Sequence, residues 1–584
     1  MWFPNANALV AANPSTAFVA ILWHELFDAG TPDSYIPRLS NTTSLVRELC
    51  ETAKRAQESD RWVKYFQQLQ AELKKVSESE QPVLSFSNYY RWLVGRLCAC
   101  EPEEAAGLAR VAFDFEATYR KNAADHLTTE CAKVPFDAVA AERALRLWAT
   151  IAVQNGCSLE EISRQINDGV LTLSLQQLVD KLIQLVECPE TDFWCCLAIV
   201  GPSGDARALA RKTGFKVLKN AALLNPHINN FGMAAKGAAS GNEVTCVAAV
   251  RKSRNAQVAA YQCIRSIRNA VDVCNFYSEA PQLTILPSAL TRTSSGEYVT
   301  VPIGEHQFRK RNPRRARQLT ITTMKRVPEE NLDGRILNAL EHYNLAHHSS
   351  ATRVKLVNLW TATECLAGSS ESIISTVCEL VAPIVIWRRS DKLLNYAASC
   401  INDYRQAGNA KALPAALTAA NPNAISREEL LLVLAKPATD AEQIQLLDFA
   451  GAHPLLSHRL RQLHLTFSNP KILLGELHQS RERVHWHLFR IYRSRNLIVH
   501  EGQDSHLSLA LLDNLHYYFS LTLSRLLHGM QQRKGLSLDE SIAFWKSRAE
   551  YLLDNLKRNP QNVTVKDLFA VPAAKASTPV WPVA

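Results

Sequence analysis

The chain contains no C-x-x-C pair, no H-E-x-x-H run and no cysteine after Cys400. Its fourteen cysteines include the close pairs Cys98/Cys100 and Cys195/Cys196, but neither pair has the partners of a zinc knuckle. They read as reduced, mostly buried thiols of a cytoplasmic protein. The start, Met1-Trp-Phe-Pro, has no basic stretch before an apolar run, so no secretory signal is expected. The most apolar segment, Ile373 to Trp387, is broken by Glu379 and Pro383 and is too short to cross a bilayer. Gly201-Pro-Ser-Gly204 follows an apolar run, yet it lacks the Lys-Ser/Thr that holds nucleotide phosphates, and it reads as a turn. His342, His347 and His348 have no metal-ligand spacing and read as ordinary surface or core residues. No metal or other cofactor is expected.

What is present is apolar enough for ordinary cores. The 584 residues are 47% hydrophobic and 21% charged, which excludes a disordered chain and leaves room for three or four domains. The net charge of +9 suits a polyanionic partner without demanding one.

The expected fold class is mainly α, in three parts and a tail. Residues 1–186 read as helical, with apolar residues at helical spacing in 61–73, 89–100, 105–119, 138–153 and 173–186. Ser158-Leu-Glu-Glu161 has the form of a capped helix start. Residues 187–330 read as a small mixed α/β module. Its strands are expected at Phe193–Val200, Val244–Val250, Gln282–Ile285 and Glu297–Ile303, with a helix over Gln257–Val273. Residues 331–557 return to helix, the last one opened by the capping box Ser537-Leu-Asp-Glu540. Residues 558–584 carry Pro560, Pro572, Pro579 and Pro582 and read as a flexible tail.

Two features carry chemistry. The first is a basic run, Arg309, Lys310, Arg311, Arg314, Arg315 and Arg317, continuing to Lys325-Arg326, with no acidic residue between His306 and Pro328. It can hold phosphates nonspecifically, or it can be a solvated linker; Pro313 marks it as a loop.

The second is Arg493-Ser-Arg495-Asn496-Leu-Ile-Val-His500-Glu-Gly502. An ideal helical wheel puts Val484, Leu488, Ile491, Arg495 and Ile498 on one stripe. Trp486, Phe489, Arg493, Asn496 and His500 fall roughly opposite. Both sides are apolar, as when one meets the core and the other a partner, and a charged residue in either stripe is costly unless it is paired or functional. The wheel sets Arg493 on the face of His500, so Arg493 stays a candidate. Glu501-Gly502 places the expected helix end at His500. Glu364 lies on an apolar stripe with Val357 and Trp360, where a lone carboxylate wants a cationic partner.

These residues resemble the R-N-x3-H signature of the HEPN-superfamily ribonucleases. The looser spacing, an arginine followed five to seven positions later by histidine, occurs at five of the 17 histidines: His126, His342, His464, His487 and His500. Among the arginines concerned only Arg495 is followed directly by Asn. Upstream, Arg335 to Tyr343 and then Val354-Lys-Leu-Val-Asn-Leu-Trp360-Thr-Ala-Thr-Glu364-Cys-Leu366 look like the first two helices of the ApeA-like HEPN subgroup. The resemblance spans residues 331–530.

It implies a metal-independent endoribonuclease in which the ribose 2′-OH attacks the adjacent phosphate, leaving a 2′,3′-cyclic phosphate and a 5′-OH. His500 would serve as base or acid. Arg495 would neutralise the transition-state charge. Asn496 would orient His500 or hold a phosphate oxygen, with Arg493 and Glu364 as possible supporting residues. The family's site is composite, and one motif per chain therefore implies a homodimer. The implied role is an antiviral, toxin-like effector of abortive infection that senses a phage-derived trigger through its N-terminal region. Two rivals remain: an inactive HEPN-like scaffold, and a nucleic-acid-binding adaptor that uses the basic loop.

Overall fold

The computed structural model describes residues 9–10, 13–27, 40–155, 157, 172–187, 190–218, 225–239, 242–276, 283–293, 296–302, 333–349, 351–368, 370, 372–407, 411–418, 424–501, 509–532, 536–569 and 577–581. It is mainly helical, with one small antiparallel sheet between helical regions. The chain divides into two compact units, one of residues 1–150, 169–179 and 307–584, the other of residues 151–168 and 180–306. The N-terminal helices therefore share a unit with the C-terminal bundle instead of standing as a separate region. The basic run at 309–317, the capped start at Ser158 and Gly502 lie outside the described residues.

In the first unit the N-terminal helices are α1 (Pro14–Phe27), α2 (Thr42–Ala56), α3 (Asp60–Ser79), α4 (Asn88–Leu97), α5 (Pro102–Phe113), α6 (Glu116–Ala132) and α7 (Ala138–Gln154). The single helix expected over 105–119 is two, broken at Asp114-Phe115, where the Phe115 ring stacks on Tyr90 with centroids 4.9 Å apart. Asn41 caps α2: its side chain accepts from the Ser44 amide at 2.9 Å, while the Ser44 hydroxyl accepts from the Asn41 amide at 2.9 Å. Trp23, Trp148, Phe18, Phe66, Tyr90 and Tyr119 are fully buried among these helices.

After α8 (Leu175–Glu187) comes the second unit, with strands β1 (Thr191–Val200), β2 (Lys216–Val217), β3 (Val244–Ser253), β4 (Thr284–Arg292) and β5 (Tyr298–Pro302). Their order across the sheet is β2-β3-β1-β4-β5, antiparallel throughout. Helices α9 (Ser203–Lys212) and α11 (Ala256–Phe276) give the connectivity of two interleaved β-α-β units, and α10 (Pro226–Ala238) is inserted between β2 and β3. The strand expected over Gln282–Ile285 is longer, running to Arg292 past a bulge opposite Leu197/Ile199. The two-residue β2 is too short to leave a periodic signal. Gly201 turns with φ 133°, and the Glu243 carboxylate accepts from the Ser203 amide at 2.9 Å, so a side chain of the protein occupies the α9 N-terminus.

The C-terminal helices of the first unit are α12 (Gly334–His348), α13 (Thr352–Ala367), α14 (Ile373–Gln406), α15 (Arg427–Leu434), α16 (Ala441–Ala450), α17 (Pro454–Ser468), α18 (Pro470–Glu501), α19 (Leu509–Gln532) and α20 (Leu538–Arg558). Trp360, Trp387, Phe449, Phe467, Phe519 and Phe569 are fully buried in the cluster they share. Each such ring contributes about 1.5–3 kcal/mol on burial. Ser537 and Glu540 form the expected capping box. The flexible tail expected after Arg558 is instead packed: Val563, Val565, Leu568, Phe569 and Val580 are buried, and Trp581 Nε1 donates to the Phe467 carbonyl at 2.7 Å. Pro560 follows the end of α20, but the apolar residues beyond it find the core. No described helix is long and apolar enough to cross a membrane.

Buried ion pairs tie α1 and α7 to α17. Arg459 bonds Glu142 at 2.7 Å and Glu25 at 3.3 Å, and His458 Nε2 meets Glu142 at 2.6 Å.

Candidate active site

The motif residues stand on the last two turns of α18, a 32-residue helix that stays regular through Glu501. The described helix thus includes Glu501, one residue past the end expected at His500. No tightening brings the motif residues onto one face. Five positions apart, Arg495 and His500 are separated by about 7.5 Å along the axis and roughly 140° around it.

The structure brings Arg495, Asn496 and Glu364 together. Arg495 Nη1 donates to Asn496 Oδ1 at 3.2 Å, and Arg495 Nη2 lies 3.8 Å from Glu364 Oε2. Glu364 is held in turn by Trp360, whose Nε1 donates to Glu364 Oε1 at 2.5 Å. Trp360 is fully buried, so the carboxylate is fixed from the core side. Arg495 Nε is buried without a hydrogen-bond partner. Asn496 is buried and turned to Arg495. His500 is exposed and forms no hydrogen bond among the described residues. Val499 beside it is 47% exposed.

Arg493 is placed elsewhere. Its Nη1 donates to Glu48 Oε1 at 2.8 Å, and its guanidinium lies over the rings of Tyr65 and Trp62, 5.2 Å and 5.7 Å from their centroids. It joins α18 to α2 and α3 and is not turned to His500. One turn earlier stands Arg490, which the sequence reading did not single out. It is buried and bonds Glu72 with both Nη atoms, at 3.0 and 2.7 Å, and Glu48 through Nε at 2.9 Å. The signal was available as arginines three apart on α18 and glutamates spaced through α2 and α3, but nothing local pairs helices more than 400 positions apart.

Burial pushes the Glu48 carboxyl up, yet Arg490, Arg493 and the Tyr65 hydroxyl outweigh it and hold the pKa at about 2. His487 goes the other way: burial, then Arg490 and Arg483, lower it to about 3. The Tyr518 hydroxyl lies 2.7 Å from His487 Nδ1 and the Asn514 amide nitrogen 3.3 Å, two donors converging on an unprotonated nitrogen.

The other histidines with the arginine spacing are engaged as well. His126 faces Glu130 at 3.6 Å, His342 bonds Asn358 at 3.2 Å, and His464 bonds the Leu434 carbonyl at 3.1 Å. Of the five, His500 alone is exposed and without a partner among the described residues.

No group of three His, Cys, Asp or Glu side chains placed to hold a metal ion occurs among the described residues. None of the twelve described cysteines is in a disulfide and nine are buried; burial pushes the Cys50 thiol up to about 12. Chemically, the site offers a fixed guanidinium beside a carboxylate and an imidazole open to solvent. Set against known proteins, the chain matches no family model, no curated protein and no solved structure.

Proposed function

We propose that the chain is a metal-independent endoribonuclease of the HEPN type, with Arg495 and His500 as its catalytic residues. The observation that carries this reading is the contrast among the five histidines. Four are bound into the fold, and the one in the R-N-x3-H run is exposed and without a partner among the described residues. A catalytic imidazole must reach its substrate, and an exposed ring meets that need. His500 takes the proton from the ribose 2′-OH or delivers one to the 5′ leaving oxygen. Arg495 neutralises the phosphorane-like transition state with its guanidinium.

The separation of Arg495 and His500 around α18 supports a homodimer in which Arg495 of one copy serves with His500 of the other. The packing of α2 and α3 along α18 supports a restraining role for the N-terminal helices, as a toxin-like effector of anti-phage defence would need. The basic run at Arg309–Arg317 remains a proposed RNA contact.

The test is cleavage of RNA by purified protein in EDTA, with wild type beside His500→Ala and Arg495→Ala. Cleavage that survives chelation and falls by roughly a hundredfold or more in each variant is the expected result. Equal cleavage by wild type and both variants overturns the assignment.

A second reading draws on the Arg495–Glu364 pair itself. An interhelical ion pair is what a purely structural arginine would make, and an inactive HEPN-like scaffold would carry the same contact. On that reading Arg495→Ala lowers stability and no cleavage exists to be lost.

A further inference from the structure

The sheet of the second unit has unequal faces. Helices α9 and α11 bury one of them, against Phe193, Cys195, Leu197 and Ile199 of β1. Among the described residues the other face carries only α10, which covers Cys196, Ala198, Ala248 and Leu290.

A row of four side chains crosses this second face in exact register. Val250 of β3 stands opposite Trp194 of β1, Trp194 opposite Arg292 of β4, and Arg292 opposite Tyr298 of β5. Val250 is 54% exposed, and Arg292 is exposed too. The Trp194 and Tyr298 rings meet edge to face at 6.2 Å. The Arg292 guanidinium lies 5.6 Å from the Tyr298 ring centre. From the first turn of α10 the exposed His227 lies flat on Tyr298, 4.9 Å between centroids and 11° between planes. Asn225 steadies the platform, its Nδ2 donating to the Tyr298 hydroxyl at 3.3 Å. Beside these rings a cleft of about 450 Å³ opens between α10 and strands β4 and β5, with His227, Phe231, Ala234, Ser288, Tyr298 and Thr300 among its walls.

Flat rings held rigid beside a cation, next to a cleft walled by aromatic, aliphatic and small polar side chains, match one kind of ligand well. A nucleobase has two π faces and a polar edge, and it is joined to an anionic phosphate. Unstacked bases are commonly taken on aromatic side chains in this manner, with arginine at the backbone. The cleft also falls within the usual size range of a small-ligand site.

We propose that this sheet face binds an unstacked nucleobase and its phosphate, with Tyr298 and His227 as the stacking platform and Arg292 as the phosphate contact. The base comes from single-stranded RNA or from a free nucleotide. The inference goes beyond the ribonuclease reading and is read out by binding, so each stands or falls without the other.

The experiment uses the full chain carrying His500→Ala, so that RNA stays intact, with EDTA present. A fluorescein-labelled single-stranded 12-mer RNA is titrated and followed by anisotropy. Tyr298→Ala, His227→Ala and Arg292→Glu are each expected to weaken binding roughly tenfold. Tyr298→Phe, which keeps the ring, is expected to bind within about twofold of the parent. Circular dichroism checks each fold. Should Tyr298→Ala not fold, His227→Ala and Arg292→Glu on exposed positions still decide the matter. Displacement of the 12-mer by AMP or UMP would identify a free nucleotide as the occupant, and retention of the 12-mer against them would identify a strand; both support the site. No RNA binding by the parent, equal binding by all folded variants, or equal binding of a blunt duplex overturns the proposal.

Discussion

Arg55 of α2 and Glu501, the residue after the motif histidine, form an ion pair with Nη1 2.5 Å from Oε1. The same helix places Glu48 against Arg490 and Arg493, and Glu51 3.8 Å from Arg493. Glu48, Glu51 and Arg55 are spaced three and four apart, so one face of α2 follows the last third of α18 to the edge of His500. If the N-terminal helices restrain the enzyme, the Arg55–Glu501 contact is the part nearest the chemistry. Arg55→Glu is therefore expected to raise RNA cleavage several-fold. The pair is partly exposed, at 25% and 35%, so its stability cost is about 1 kcal/mol or less. Cleavage assays beside a thermal melt check this, and unchanged or lower cleavage in a stably folded variant argues against restraint.

Glu48, paired with Arg490 and Arg493, makes the packing of α2 on α18 pH-dependent. Its pKa falls from 4.5 in the free side chain to about 2 in the fold. A depressed carboxylate stabilises the folded chain fully above the unfolded value and loses that contribution as pH falls through the folded one. The window is thus pH 4.5 down to about 2, and the difference corresponds to about 3 kcal/mol. Glu48→Gln is expected to lower stability at pH 7 and to flatten the stability profile across that window. Urea melts at several pH values measure both, and an unchanged profile would show that Glu48 is not what couples the helices to pH.

Much of this arrangement was legible in the sequence, and the reason is local. The strands at 193–200, 244–250 and 297–303 and the helix over 257–273 announced themselves through period and apolar content, signals that a few neighbouring residues carry. Glu364 was readable as a carboxylate in need of a cation because an apolar stripe makes an isolated charge costly. Other features depend on distant partners. Arg493 looked like a neighbour of His500 on a wheel, but Glu48, some 445 positions away, claims it. Arg490 went unnoticed because its meaning lies in Glu72, on another helix. The tail looked loose because proline forbids helix, yet it does not forbid burial, and Phe569 and Val580 are buried.

Glu364 separates the two readings of the site. It holds Arg495 from one side and is itself held by the Trp360 indole. Glu364→Gln keeps an acceptor for the indole and removes the charge that positions the guanidinium. For a catalytic arginine, loss of position lowers cleavage by roughly ten- to a hundredfold, while the partly exposed pair contributes about 1 kcal/mol or less to stability. Cleavage rates and melting temperatures of the same preparation decide between them. A lowered melting temperature without any change in cleavage would place the pair in the scaffold alone.

The two motif residues on α18 point in directions roughly 140° apart, and Arg493, which does share a side with His500, is bound to Glu48. A single copy therefore does not aim both groups at one phosphate. Two copies related by a two-fold axis can, with Arg495 of each meeting His500 of the other. Mixing two inactive proteins tests this directly. A dimer of one Arg495→Ala chain and one His500→Ala chain has one intact Arg495 and one intact His500, on opposite partners, and so one complete site. An equal mixture allowed to exchange subunits forms half such dimers, giving about a quarter of the wild-type sites. Recovery of about that fraction of cleavage is the expected outcome, alongside a dimer mass by light scattering. A monomer mass together with no recovery would mean that the residues act within one chain, and the helix end at Glu501 would then have to rearrange before cleavage.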